Sequence, residues 1–176
     1  MGAILPPAPV LCLVAVTGQT DAAFDWAAAQ VMERFGRLQL SSERFPFTQT
    51  NYYTGTMGTE LRKQFIVPAQ PLDPVFLSSF KVTTNEWEEQ YRQAARADVE
   101  RPINLDPGYL SQDKLVLAST KNHAHRLYLD HGIYAELTLQ YRAKAWQKMP
   151  WTYPDYLQPE FHTFFTEARD YLRSLA

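Results

Sequence analysis

The 176-residue sequence predicts one α+β domain: a mixed or antiparallel sheet with three main helices, built on a ferredoxin-like βαββαβ half and extended by a C-terminal hairpin and helix. Three observations predict it. An apolar run of strand length, "PVLCLVAV", leads into a helical repeat. Short strand-like segments then alternate with a second helical pattern. The chain closes on a strongly amphipathic helix.

The elements follow in order. After "PVLCLVAV", the loop "TGQTD" offers Thr20 or Asp21 as an N-cap. Phe24, Ala28, Val31 and Phe35 recur at helical spacing up to Gly36, a residue suited to a left-handed cap. The segments "RLQLSS", "FPFTQTNYY" and "LRKQFIV" read as short strands separated by Pro46, Gly55 and Gly58. Asp73 before Pro74 caps a short helical turn through Phe80. A second helix is expected from "TTNEWEE", with Thr83 and Glu86 or Asn85 and Glu88 at capping-box spacing, and with Trp87, Tyr91, Ala94 and Ala95 as its buried stripe.

Strands are expected at 103–105, 115–120, 123–129 and 133–141. Pro107-Gly108 suits the centre of a type II turn opened by Asp106. The final helix carries Phe161, Phe164, Phe165, Ala168, Tyr171, Leu172 and Leu175 at helical spacing, with Pro159 near its start.

A net charge of -2 and a pI near 6.1 provide no global field for nucleic acid or anionic membrane, so binding of either would rest on a local patch. Cys12 is the single cysteine and lies in an apolar run, which points to a buried thiol and a reducing compartment. The first residues lack a basic leader, and the apolar run is too short to cross a bilayer. Pro6 occupies the position where a myristoylation signal wants Ser or Thr. The expectation is a cytoplasmic protein without a membrane partner. The sequence names no cofactor, and it fixes neither an oligomeric state nor whether the protein is an enzyme.

No P-loop, GxGxxG, HExxH, GxSxG or CxxC pair is present. The loop Thr17-Gly18-Gln19-Thr20 reads as an ordinary strand-to-helix connection in preference to a phosphate site. "KNHAHRLYLDHGIYAELTLQYR" is the most polar stretch. A three-residue loop, Asp130-His131-Gly132, would pair Arg126 with Glu136, Tyr128 with Tyr134 and Ala124 with Thr138. It would also place Leu127, Leu129, Ile133, Leu137 and Leu139 on one face, leaving Lys121, His123 and His125 on that apolar side unless the strand bends or starts later. His123 and His125 could share a metal, but no third ligand stands out and no metal is assigned. Half-buried structural histidines are the simpler reading. "MPWTYPDY" is a rigid aromatic loop, suited either to stack a ring or to close the core.

The blocks "RPINLDPGYL", "KLVLASTKNHAHRLYLDHGIYAELTLQY" and "PWTYPDY", with "KVTTNEWEE" and "TNYYTGTMGTEL" upstream, resemble the bacterial and archaeal family called domain of unknown function 4416. The resemblance covers nearly the whole chain and implies no activity or substrate. Where the family pattern has Glu-Met-Gly, this chain has Thr56 before Met57 and Gly58, so a role for that glutamate would pass to Glu60 or be lost.

These blocks concentrate the polar groups into one candidate cleft. Catalytic candidates are His123, His125, Asp106 and Glu136. Ligand-binding candidates are Asn104, Lys121, Arg126 and Thr138, with Trp151 and Tyr153 on the rim. The charges favour a small anionic or phosphorylated ligand: Lys121 and Arg126 would hold it, Glu136 would orient Arg126, and a histidine would serve as acid or base. Two other readings compete. One is a single-stranded RNA module stacking bases on Tyr128 and Tyr134, with Arg126, Arg142 and Lys144 on phosphates, which the acidic pI disfavours. The other is a non-catalytic scaffold in which Arg126 and Glu136 only stabilise a hairpin.

Overall fold

The computed structural model describes residues 2–49, 54–95 and 97–175. Ten strands, β1 (Val10–Gly18), β2 (Leu38–Ser41), β3 (Phe45–Pro46), β4 (Arg62–Pro68), β5 (Pro71–Leu72), β6 (Ile103–Leu110), β7 (Lys114–Ser119), β8 (Leu127–Asp130), β9 (Ile133–Arg142) and β10 (Ala145–Lys148), form one sheet. The helices are α1 (Asp21–Phe35), the single turn α2 (Thr54–Met57), α3 (Leu77–Ala94) and α4 (Pro159–Ser174). The main order is β10-β9-β7-β6-β1-β4-β2, and every ladder is antiparallel.

The segment β6-β1-β4-β2, with α1 after β1 and α3 before β6, is the expected ferredoxin-like half. Alternate residues of β1 sort its two faces. Cys12, Val14 and Val16 pack with Phe24 and Val31 of α1 and Phe80 and Trp87 of α3. Leu11, Leu13 and Ala15 pack with Phe161, Phe165 and Leu172 of α4 on the other side. Being buried on both faces, β1 has to read as a continuous apolar run. Phe65 centres the α4 layer, its ring centroid 4.7 Å from Phe161 and 5.0 Å from Phe165. Each such burial contributes about 1.5–3 kcal/mol. Cys12 is fully buried, and burial pushes its thiol well above the ordinary range, so it is inert.

Caps act as expected at two helices. Thr20 Oγ1 accepts from the Ala23 amide, and Gly36 closes α1 at φ 81° with its amide on Met32 O. Asp73 caps a 3-10 turn, Pro74–Phe76, by accepting from the Val75 amide. At the N-terminus of α1, Asp21 accepts from Arg44 at 2.6 Å and pairs with Arg62 at 2.8 Å. Hydrogen bonding to Arg44, and next to Arg62, holds its carboxyl below the usual range. A depressed folded pKa contributes stability above the unfolded value, about 3.9, and that contribution is lost as pH falls through the lowered one. Asp21→Asn is therefore expected to lower the urea midpoint at pH 7, with the gap from the unchanged protein closing as pH drops below about 4.

Several expectations fail for identifiable reasons. The second helix starts at Leu77, so the supposed capping boxes lie inside it, and Thr83 Oγ1 donates to Ser79 O in the helix interior. The apolar period running through Leu77, Phe80, Thr84, Trp87 and Tyr91 overrides the cap signal. β10 was not expected; Ala143 and Lys144, both at positive φ, turn the chain into it. Leu175 is 48% exposed, past the packed end of α4. The end of the "FPFTQTNYY" strand, residues 50–53, lies outside the described residues.

The hairpin keeps the expected Tyr128–Tyr134 pair by a different route. Its turn has two residues, His131 (φ 53°) and Gly132 (φ 75°), and Leu129 forms a bulge between the Tyr128 and Asp130 pairs. A second bulge at Thr138 sits where Leu139 pairs with Leu115 and Leu137 with Val116. It sends Leu137 and Leu139 to opposite faces, against the alternation expected from the sequence. β8 begins only at Leu127. Lys121, His123 and His125 thus precede the strand, around a turn in which the Arg126 amide donates to His123 O. The later start of the strand is what keeps them off its apolar face, and the Ala124–Thr138 pair does not form.

Candidate functional site

The largest departure from expectation creates the site. Pro107-Gly108 makes no turn: β6 runs straight through it, with Pro107 opposite Val14 and Gly108 opposite Leu13. In an antiparallel pair a residue directs both backbone groups toward one neighbour. Leu105 turns both away from β1, because its amide donates to Glu88 Oε1 at 2.7 Å and its carbonyl accepts from Lys81 Nζ at 2.8 Å. Pro107, two residues on and in the same phase, has no N–H for β7. The β6–β7 ladder begins only at Gly108. Beyond it the two strands part, and side chains of α3 satisfy the backbone that a strand would otherwise cover.

A cavity of about 470 Å³ fills the split. It is lined from both layers, by Lys81 and Asn85 of α3 on one side and by Tyr153 to Tyr156 on the other. Its lining includes five cations, Lys63, Lys81, Arg101, Lys121 and Arg126, against three carboxylates, Asp106, Glu136 and Asp155. Three cation–carboxylate pairs cross it. Lys63 Nζ binds Asp155 Oδ2, with both side chains 6% exposed. Lys81 Nζ lies 3.7 Å from Asp106. Arg126 Nε donates to Glu136 Oε2 at 2.8 Å. Two of these pairs, Lys63–Asp155 and Arg126–Glu136, are buried on both sides, and buried ion pairs contribute little net stability after desolvation, which points to a role beyond the fold.

Asn104, Asp106, Lys121, Arg126, Glu136 and Tyr153 all line the cavity. Asn104 and Asp106 alternate onto one face of β6, with Asn104 Nδ2 donating to Asp106 at 2.8 Å. Arg126 is spent on protein partners. Besides Glu136, it donates to Ser119 Oγ, to Lys121 O at 3.0 Å and to Tyr153 OH at 2.9 Å. It fixes the wall and has little left for a ligand.

Four candidates stand outside the lining. His123 is exposed, and His125 sits behind Glu136, its Nε2 3.0 Å from Oε2 and its ring stacked 4.9 Å from Trp151. Trp151 Nε1 donates to Leu137 O and Thr152 Oγ1 to Thr138 O, so this loop covers the open edge of β9 between β8 and β10. Thr138 is fully buried beneath it. Glu60 is exposed at φ 59° and does not line the cavity. Among the described residues no group of three or more His, Cys, Asp or Glu is placed to hold a metal ion, and no helix is long and apolar enough to cross a membrane.

The residues that sequence reasoning missed are Lys63, Lys81 and Asp155, which are buried, and Asn85 and Arg101 on the more exposed part of the lining. The three buried ones each carried a weak signal. Lys63 alternates with Phe65 on the inward side of its strand, Lys81 falls on the buried stripe of α3, and Asp155 stands between aromatics in a proline-braced loop.

The family described as domain of unknown function (DUF4416) matches residues 8–171. The chain belongs to this family. Comparison with curated proteins and with solved structures found no match. The functional reading of this DUF4416 member therefore rests on its own geometry. The blocks that carried the resemblance supply most of the cavity wall: β6 brings Asn104 and Asp106, the segment from β7 to β9 brings Lys121, Arg126 and Glu136, and the aromatic loop brings Tyr153 and Asp155.

Proposed function

We propose that the protein binds a small anionic or phosphorylated molecule in the split between β6 and β7. The observation that carries this reading is the pair of buried ammonium groups, Lys63 and Lys81, at 4% and 5% exposure, in a cavity whose cations outnumber its carboxylates. Each ammonium has three donors, and the bonds described above occupy only part of that capacity. Anionic oxygens complete such a site at low desolvation cost, because the protein has already desolvated the cations. Lys121 at the mouth adds a positive charge on the way in.

Among the catalytic candidates, Asp106 and Glu136 face the cavity and the histidines do not, so any proton transfer falls to the carboxylates. The RNA reading has less support, since helices cover both faces of the central strands and the Tyr128 and Tyr134 rings engage each other at 5.5 Å.

A thermal-shift screen of phosphorylated metabolites tests the proposal. Stabilisation by at least one member is expected, and Lys81→Met and Lys63→Met are each expected to weaken its binding by tenfold or more, as loss of a charge-assisted bond worth about 1.5–3 kcal/mol requires. Methionine keeps most of the packing of the lysine stem. Undiminished binding by both folded variants would discard the proposal.

A further inference from the structure

Glu136 is a buried, charged side chain of the cavity lining whose hydrogen bonding is incomplete. Its Oε2 is shared by Arg126 Nε and His125 Nε2, whereas Oε1 is buried with no hydrogen-bond partner among the described residues. The residue is 2% exposed and lines the cavity. A buried acceptor without a donor is costly, and more so when it carries charge. A bare anion would worsen the position, because it brings negative charge toward a carboxylate and offers no donor. A ligand that brings its own hydroxyl or ammonium group resolves it.

On the anion-binding reading above, we infer that the ligand carries a hydrogen-bond donor beside its anionic group, as a phosphorylated polyol, sugar or amino compound does, and that Glu136 Oε1 accepts from that donor. Lys63 and Lys81 take the anionic end. Arg126, held by Ser119 and Tyr153, keeps Glu136 in place and is a positioning residue. The division of labour is chemically complementary: ammonium groups select the phosphate, and a carboxylate selects what the phosphate is attached to. A site built around such an acceptor discriminates strongly against an analogue that lacks the matching donor.

Calorimetric titration of the full chain with two matched pairs tests this: glycerol 3-phosphate against n-propyl phosphate, and glucose 6-phosphate against cyclohexylmethyl phosphate. Within a pair the phosphate is the same and the size similar; the hydroxyls differ, with the ring oxygen of the sugar, an acceptor that donates nothing, as the one other change in the second pair. In at least one pair the hydroxylated ester is expected to bind about 10- to 100-fold more tightly. Glu136→Gln is expected to shrink that preference to about threefold or less. Equal binding within both pairs overturns the donor inference while leaving the anion reading intact; no binding by any ester overturns both. If Glu136→Gln does not fold, the matched pairs on the unchanged protein still decide.

Discussion

Gly108→Ala is expected to destabilise the fold by about 3 kcal/mol, at the upper end of the usual overpacking cost. A Cβ at this position would stand 2.3 Å from Val116 O and 2.7 Å from Leu117 Cδ2. The first of these is backbone and cannot rotate away. Gly108 is also where the β6–β7 ladder begins, so the strain falls on the pair that closes the cavity's inner end. Urea denaturation measures the loss, with Gly55→Ala as the control, since a Cβ there meets nothing within 4 Å. Equal midpoints for the two variants would show that the close approach of β7 is not what requires glycine.

Arg126→Met is expected to cost about 3–5 kcal/mol, the range for removing one member of a buried pair. The expense lies in what stays behind, because Glu136 would remain buried without the guanidinium. The double variant Arg126→Met/Glu136→Leu is accordingly expected to recover most of that stability while losing the proposed selectivity for hydroxylated phosphates. A double-mutant cycle in urea measures the coupling. If the double variant is as unstable as the single one, the pair's cost is not that of an uncompensated charge.

The ferredoxin-like half was legible because its signals are local and agree with one another. The run at β1, the stripe on α1 with its Thr20 and Gly36 caps, and the phenylalanine stripe of α4 each name an element unaided. Pro107-Gly108 misled for a physical reason. The dipeptide that suits a type II turn also suits a strand that must lose one neighbour and let another approach closely, and only the register against β1 separates the two. Glu136 and Arg126 were legible as a pair because a hairpin brings them together locally. Lys63, Lys81 and Asp155 were not, because they come from three distant segments that only the tertiary fold gathers, and a lone charge in a strand or helix ordinarily reads as solvated. The bulge at Thr138 was similarly invisible, since nothing within β9 reveals that its partner strand is one residue short.

The parting of β6 from β7 bears on how the protein would respond to the proposed ligand. β10, β9 and β7 form one panel of sheet and β1, β4 and β2 another, and β6 joins them through only three residue pairs, Gly108–Leu117, Tyr109–Val116 and Leu110–Leu115. A molecule held by Lys63 on one panel and by Glu136 on the other bridges the seam like a fourth stitch. Recognition and rigidity then become linked: the proposed ligand would also fasten the two halves of the sheet together, and resistance to unfolding would rise with the logarithm of its concentration once it exceeds the Kd.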